Sequence, residues 1–358
     1  MIEKLLLERE LPDVLRFSDG SPVAQADWPR RRTEILELLR HHMYGVTPNS
    51  KIEIEHEIKL ENKDAFAGKA IMQTILLTAK IFYTNFTFPF RLILPKKAEK
   101  APVFVHLSFS DNACSEELPT EEILDQGYGV ATVWYQAVAP DRDDEFKNGL
   151  ASHASRNPFD SWGKISMWAW AASRIMDYLQ TLDTVDTNRI AVIGHSRLGK
   201  TALWCGACDE RFSLTVANDS GAGGVALFRG KQGEIIANLT RPTPGYWFCG
   251  NFKAFADREF ELPFDQHFVL SLVAPRYLYV CSAKEDAWAD PVSEFLSCAA
   301  ASPVYQMMGY QGLAATSMPQ TDVPLQEGRI GYHMRTGTHF LSRYDWQQVM
   351  AFREKHGC

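Results

Sequence analysis

The chain lacks any apolar run long enough to span a bilayer, and it lacks an excess of positive charge. Its 37 lysines and arginines are outnumbered by 44 aspartates and glutamates, for a formal net charge of -7. That balance repels phosphate backbones and acidic membrane surfaces, so neither a nucleic-acid nor a membrane partner is expected. A disulfide or metal framework is lacking too. The seven cysteines are an odd number without paired metal spacing. Cys205-x-x-Cys208 reads as packing on a helix, and no metal or other cofactor is expected. Met1 to Glu10 holds only a short apolar stretch broken by charge, unlike a signal peptide. These features fit a reduced, cytoplasmic protein, although a secreted chain shorn of its signal would read the same. With no internal repeat, low-complexity tract or long linker, residues 1–358 read as one domain, with 1–100 an N-terminal extension and 101–358 the core.

What the chain does have is apolar residue in quantity. It is 46% hydrophobic and 23% charged, enough to bury a large core. Its 358 residues exceed the usual domain, but α/β enzymes often reach this length as one decorated domain. Residues 11–50 read as helical, with Trp28, Ile35, Leu36, Leu38 and Leu39 in a stripe that ends at Tyr44-Gly45-Val46-Thr47-Pro48. Alternating stretches follow at Lys51–Lys59, Gly68–Ala79 and Phe86–Leu94, the pattern of antiparallel strands at a sheet edge. From about residue 101 the pattern changes to short apolar runs: Val103–Leu107, Gly129–Trp134, Ile190–Ile193, Leu214–Ala217 and Tyr277–Val280. Helical stretches lie between several of them, Ile165–Leu179 being the clearest. Strands alternating with helices build a mostly parallel sheet covered on both faces. Such sheets place ligands beyond the carboxyl ends of their strands.

One strand end stands out. Ile190-Ala191-Val192-Ile193 is followed by Gly194-His195-Ser196 and then by a helix start, Arg197 to Leu203. A serine at a strand-to-helix turn sits on a tight corner with its hydroxyl above the sheet, the nucleophile elbow of an α/β-hydrolase. Ser196 is therefore the candidate nucleophile. The second glycine of the usual G-x-S-x-G comes one residue late, at Gly199, with Leu198 in its place. A helix N-cap serine is the plainer alternative.

A serine hydroxyl needs a base, and the base needs a third group to orient it. In this fold the order along the chain is nucleophile, acid, histidine. Four histidines follow the elbow. His356 is read as part of a frayed C-terminus, His267 lies in a helix-like stretch, and His333 lies in the run Ile330–Met334. His339, in Gly337-Thr338-His339-Phe340 before a terminal helix near Tyr344, occupies the loop where the fold places its base. Two acids compete for it. Asp286 follows the run at Tyr277–Val280, and Asp219 follows Leu214–Ala217; Glu285 reads as a solvated neighbour. The oxyanion would meet the Arg197 N–H and a donor from Ser108–Asn112. The Arg197 guanidinium either stabilises that charge or makes a salt bridge on the helix. Lys200, one turn on, faces either the pocket or solvent.

Gly194-His195-Ser196-Arg197-Leu198-Gly199-Lys200 and Asp219-Ser220-Gly221-Ala222-Gly223-Gly224 together resemble the glucuronoyl esterases, the family-15 carbohydrate esterases. The resemblance runs from about Pro102 to Trp346. That family's elbow reads G-x-S-R-x-G-K, so the late glycine is its pattern. The resemblance implies an α/β-hydrolase fold and cleavage of the ester between a glucuronic acid of xylan and a lignin alcohol. It implies Ser196 as nucleophile, Arg197 as oxyanion-stabilising side chain, His339 as base and Lys200 against the uronate sugar. Fungal members carry a glutamate where this chain has the shorter Asp219; many bacterial members carry an aspartate matching Asp286. Trp288 matches a tryptophan bordering the sugar site, and Glu234 a glutamate that binds sugar hydroxyls. An aromatic face against a pyranose and a carboxylate accepting its hydroxyls are sound chemistry. Similar GHSRLGK sequences are also described as acetyl xylan esterases, so acetyl esters are the alternative substrate and a non-catalytic carbohydrate-binding relative a third reading.

Overall fold

The computed structural model describes residues 2–48, 52–81, 84–241 and 245–358. Less of the N-terminal segment is helical than its stripe predicts. A short helix, α1 (Ile2–Leu7), precedes an irregular stretch, and the stripe itself forms α2 (Trp28–Leu39). Residues 11–24 stay out of helix because short polar side chains turn onto their own backbone: Asp13 accepts the Leu15 N–H and Asp19 the Ser21 N–H, both at 2.9 Å. Past α2 a π-helical turn, Arg40–Tyr44, ends at Gly45, whose φ of +83° suits glycine. Residues 49–51, where this helical reading ends and the first alternating stretch begins, lie outside the described residues.

The alternating stretches form β1 (Glu53–Ala65), β2 (Ala70–Ile81) and β3 (Thr84–Pro95), each antiparallel to the next. β1 is exposed along almost its whole length, and its glutamates and lysines guard the open sheet edge. The apolar runs form β4 (Ala101–Ser108), β5 (Gly129–Trp134), β6 (Val185–His195), β7 (Leu214–Asn218) and β8 (Tyr277–Ala283). A ninth strand, β9 (Ile330–Arg335), follows. All nine share one sheet, in the order β1-β2-β3-β5-β4-β6-β7-β8-β9. β3 meets β5 antiparallel, and every pair beyond is parallel.

Among the described residues the remaining α-helices are α3 (Thr120–Asp125), α4 (Lys164–Leu179), α5 (Arg197–Cys208), α6 (Ile236–Thr240), α7 (His267–Ser271), α8 (Pro291–Met307) and α9 (Arg343–His356). Alternate strand residues feed two cores, as the strand period of two requires. Val103, Val105, Ile190 and Val192 pack with residues of α2, α4, α5 and α8. Phe104, Ala191, Ile193 and Val216 pack with α3 and α9. Helices thus cover both faces of this α/β-hydrolase fold. Cys205 and Cys208 both lie on α5, the first buried and the second half-buried, as free thiols. His356 is not in a frayed end. It is the last residue of α9, with Nε2 at 2.9 Å from the Gln326 carbonyl and its ring packed on Tyr277 and Phe352. Among the described residues no helix is long and apolar enough to cross a membrane.

Candidate active site

β6 ends at His195, α5 begins at Arg197, and Ser196 makes the corner between them. Its backbone has φ 57° and ψ −127°, a conformation that costs a non-glycine residue about 1–3 kcal/mol and persists only where its surroundings impose it. They do so here. The Ser196 N–H donates to the Asn218 carbonyl at 2.9 Å, and the Ser196 carbonyl accepts the Lys200 N–H at 3.1 Å. A Cβ on Gly194 would fall on the Leu198 carbonyl. One on Gly199 would stand 2.9 Å from the Asn218 carbonyl oxygen and 3.1 Å from that of Gly194. The late glycine is thus where the first turn of α5 passes close over the end of β7, while Leu198 is fully buried in the core.

His339 reaches the same place from the loop between β9 and α9. Its Nδ1–H donates to Asp286 Oδ2 at 2.6 Å, which leaves Nε2 free to accept a proton. Asp286 is buried, and its other oxygen accepts the Ala289 N–H at 3.1 Å. Burial opposes its ionisation, but the bond from His339 and the Ala289 amide outweigh that and hold the carboxyl below its ordinary range. Beneath His339 lies the ring of His195, centroid to centroid 4.4 Å. Burial pushes His195 down to about 3, with His339 adding to the shift, so it stays neutral.

Asp219 is close by but engaged elsewhere. It, Asp286 and His339 each bring a potential ligand atom within 4.8 Å of the others. Its Oδ1 accepts the Ala283 N–H at 2.7 Å, and its Oδ2 faces the Phe340 N–H at 3.3 Å and Arg335 at 3.5 Å. Burial, with Glu294 and Asp345 nearby, pushes its carboxyl well up against the pull of Arg335. Of the two acids, the one bonded to His339 is Asp286. His333, fully buried, instead bonds Asp345 at 2.8 Å, and His267 is buried in α7 against the Pro12 carbonyl. Cys281, His333 and Asp345 also lie within 4.8 Å of one another, but the Arg335 guanidinium, 2.8 Å from Asp345, already places a cation there.

A cleft of about 280 Å³ opens over the elbow, and Ser196, Arg197, Lys200, Asp219, Glu234, Trp288 and His339 all line it. The Arg197 side chain is one-third exposed. It is ion-paired with the buried Asp141 and lies over the Trp247 ring, 4.8 Å from its centroid. Asp141 also accepts the Trp247 indole N–H and the Tyr135 hydroxyl, each at 2.8 Å. Burial raises this carboxyl, yet those three donors together bring it below its usual range. The Lys200 ammonium is buried, and its three N–H groups go to the carbonyls of Ser220 and Ala222, both at 2.7 Å, and to Glu234 at 2.9 Å. Trp288 is half exposed, and its carbonyl accepts the Glu234 N–H at 3.0 Å. Glu285 is exposed, as read.

Asp141, Tyr135 and Trp247 escaped the sequence reading. Asp141 lies 56 residues from Arg197 and 106 from Trp247, in a stretch with no motif. A half-buried arginine's need for a carboxylate is the sole signal in the sequence. The 108–112 loop presents Phe109, whose ring lies 5.6 Å from the Arg197 guanidinium.

A family profile described as "Glucuronyl esterase, fungi" matches residues 82–309. A carbohydrate esterase of an unknown prokaryotic organism is 33% identical over 97% of this chain and 89% of its own length. A 4-O-methyl-glucuronoyl methylesterase of Schizophyllum commune is 30% identical over 84% of this chain and 74% of its own. Among solved structures, a glucuronoyl esterase from Solibacter usitatus superposes with a TM-score of 0.88 at 37% identity, covering 96% of this chain and 97% of the other. A promiscuous family-15 esterase from a marine bacterial metagenome also gives 0.88, at 32% identity and 98% of both chains. The chain belongs to the glucuronoyl esterase family of carbohydrate esterases, carboxylic ester hydrolases on the α/β-hydrolase fold.

Proposed function

We propose that the protein hydrolyses glucuronoyl esters, most specifically 4-O-methyl-glucuronoyl esters of glucuronoxylan fragments, through an acyl-enzyme on Ser196. The observation that carries this reading is the His339–Asp286 bond at 2.6 Å, in a cleft whose wall also holds Ser196 and two cations. In this reading the Ser196 hydroxyl attacks the ester carbonyl while His339 Nε2 takes its proton. Asp286 keeps Nδ1 protonated and stabilises the imidazolium. Negative charge gathers on the former carbonyl oxygen, facing the Arg197 N–H at the start of α5 and the guanidinium above it. The imidazolium then gives its proton to the departing alcohol, and water enters by the same route in reverse to free the acid. Asp219 shapes the loop beneath the histidine, and Arg197, Lys200, Glu234 and Trp288 frame the sugar.

In a glucuronoyl ester the acyl carbon is C6 of the sugar, so the pyranose ring sits beside Ser196, against the Trp288 face and the Glu234 carboxylate. An acetyl ester would place only a methyl group there. The test is kcat/KM on a benzyl ester of glucuronic acid beside that on an acetylated xylo-oligosaccharide. We expect the glucuronate ester to be preferred by at least about tenfold, the discrimination a few sugar contacts supply. A preference for the acetylated sugar would replace this reading with a deacetylase.

A further inference from the structure

We propose that the cleft is built to take the uncharged ester and to reject the uronate anion made from it, a proposal that rests on the glucuronoyl reading above. The cations that line the cleft are already committed. Lys200 spends its three N–H groups on Ser220, Ala222 and Glu234, and Arg197 is paired with Asp141. Lys231, behind the Trp288 loop, donates to the carbonyls of Gln232, Trp288 and Ala289 at 2.7, 3.0 and 2.9 Å. Arg335, below His339, lies between Asp219 and Asp345. After these pairings Asp286 remains, a buried carboxylate whose partners are the His339 imidazole and the Ala289 N–H rather than a cationic side chain. The two cations that line the cleft, Arg197 and Lys200, are thus each balanced by a carboxylate of their own, and Asp286 adds a further negative charge beside His339.

The chemistry adds one charge at that spot. Deacylation breaks the bond between the acyl carbon and Ser196 Oγ and joins that carbon to the oxygen of water. One water proton returns to Oγ by way of His339. The carboxylic acid that results ionises at neutral pH, with its proton passing to solvent. A neutral acyl group thus becomes an anion against Asp286, and among the described residues lining the cleft both cations already have a carboxylate partner. A carboxylate in a partly buried site gains little from guanidinium or ammonium groups already neutralised by their own partners, and it loses its water. Product leaves, and the hydroxyl contacts that seat the ester do not hold the acid.

The test compares two competitive inhibitors of benzyl glucuronate hydrolysis, glucuronate and its uncharged analogue glucuronamide. The proposal expects wild-type enzyme to bind glucuronate at least about tenfold more weakly than the amide, a gap of one screened charge interaction. Added salt should narrow that gap. Glu234→Gln frees Lys200, so whatever the altered sugar contact does to both inhibitors, the ratio of the glucuronate to the glucuronamide inhibition constant should fall about tenfold. Asp141→Asn, freeing Arg197, is an independent second variant with the same expectation. Equal inhibition of wild type by the two compounds, or equal shifts of both in the variants, would overturn the proposal while the substrate reading stands. Absence of turnover on benzyl glucuronate would instead remove the substrate reading, and the proposal with it.

Discussion

Lys200→Met separates a structural lysine from a sugar-binding one. The family resemblance sets Lys200 against the uronate, yet its ammonium is buried and fully occupied by Ser220, Ala222 and Glu234. Methionine keeps the length and apolar stem but strands two carbonyls and a carboxylate. Each buried group left without a partner costs about 1–3 kcal/mol, and breaking a buried ion pair costs about 3–5 kcal/mol. The Glu234 side chain is 12% exposed and can turn toward the cleft and water, so its share is discounted. The sum is on the order of 3–5 kcal/mol, or a fall in Tm of roughly 4–7 °C for a chain this long. Activity follows the same logic. Both Ser220 and Ala222 lie on the loop after β7, so loss of their tie should slow a small aryl acetate as well as a benzyl glucuronate ester. Denaturant unfolding and kcat/KM on both esters make the assay. A double variant, Lys200→Met with Glu234→Gln, should recover part of the stability because the stranded carboxylate is gone. An unchanged Tm with losses on the glucuronate ester alone would refute the reasoning and make Lys200 a direct sugar ligand.

Asp286→Asn should lower kcat by about three to four powers of ten, as expected when the base loses the partner that fixes its tautomer. Asp219→Asn should cost less than about tenfold in kcat, and the reverse ranking in steady-state kinetics would reassign the acid. His106, His195 and His267 are buried, and burial pushes each down to about 3. The unfolded chain protonates histidine near 6.5, so between pH 6.5 and 3 the unfolded state binds more protons and stability falls as pH falls, by about 1.4 kcal/mol per pH unit for each. The gap in unfolding free energy between wild type and His267→Gln should therefore narrow by that amount per unit from pH 6 to pH 4. A gap that is flat with pH would exclude the buried neutral imidazole.

Much of this architecture is local and so was legible. The elbow needs only four apolar residues, a glycine and a serine in succession, and β1 to β3 follow from alternation. Where the chain closes on itself, legibility stops. β9 carries His333 and Arg335 among its apolar residues because both are paired in the interior, with Asp345 and with Asp219. Two basic side chains in six residues break the apolar pattern that marks the other strands. The choice between Asp286 and Asp219 turns on which of them faces backbone N–H groups and Arg335, partners drawn from 64 to 121 residues away. The irregular residues 11–24 were misread because an apolar stripe does not register the competing turns of Asp13 and Asp19. Arg197 stands out in the elbow motif, but its Asp141 partner, 56 residues away, is brought to it only by the fold.

The central claim is that Ser196 carries the acyl group. The measurement is rapid-quench mass spectrometry of the protein during turnover of benzyl glucuronate ester, with peptide mapping, beside kcat/KM of Ser196→Ala. The account predicts a glucuronoyl adduct on the Ser196 peptide and a loss of roughly four to six powers of ten in the variant, since nucleophile and base act as a unit. Hydrolysis retained by Ser196→Ala, or an adduct on another residue, would contradict it.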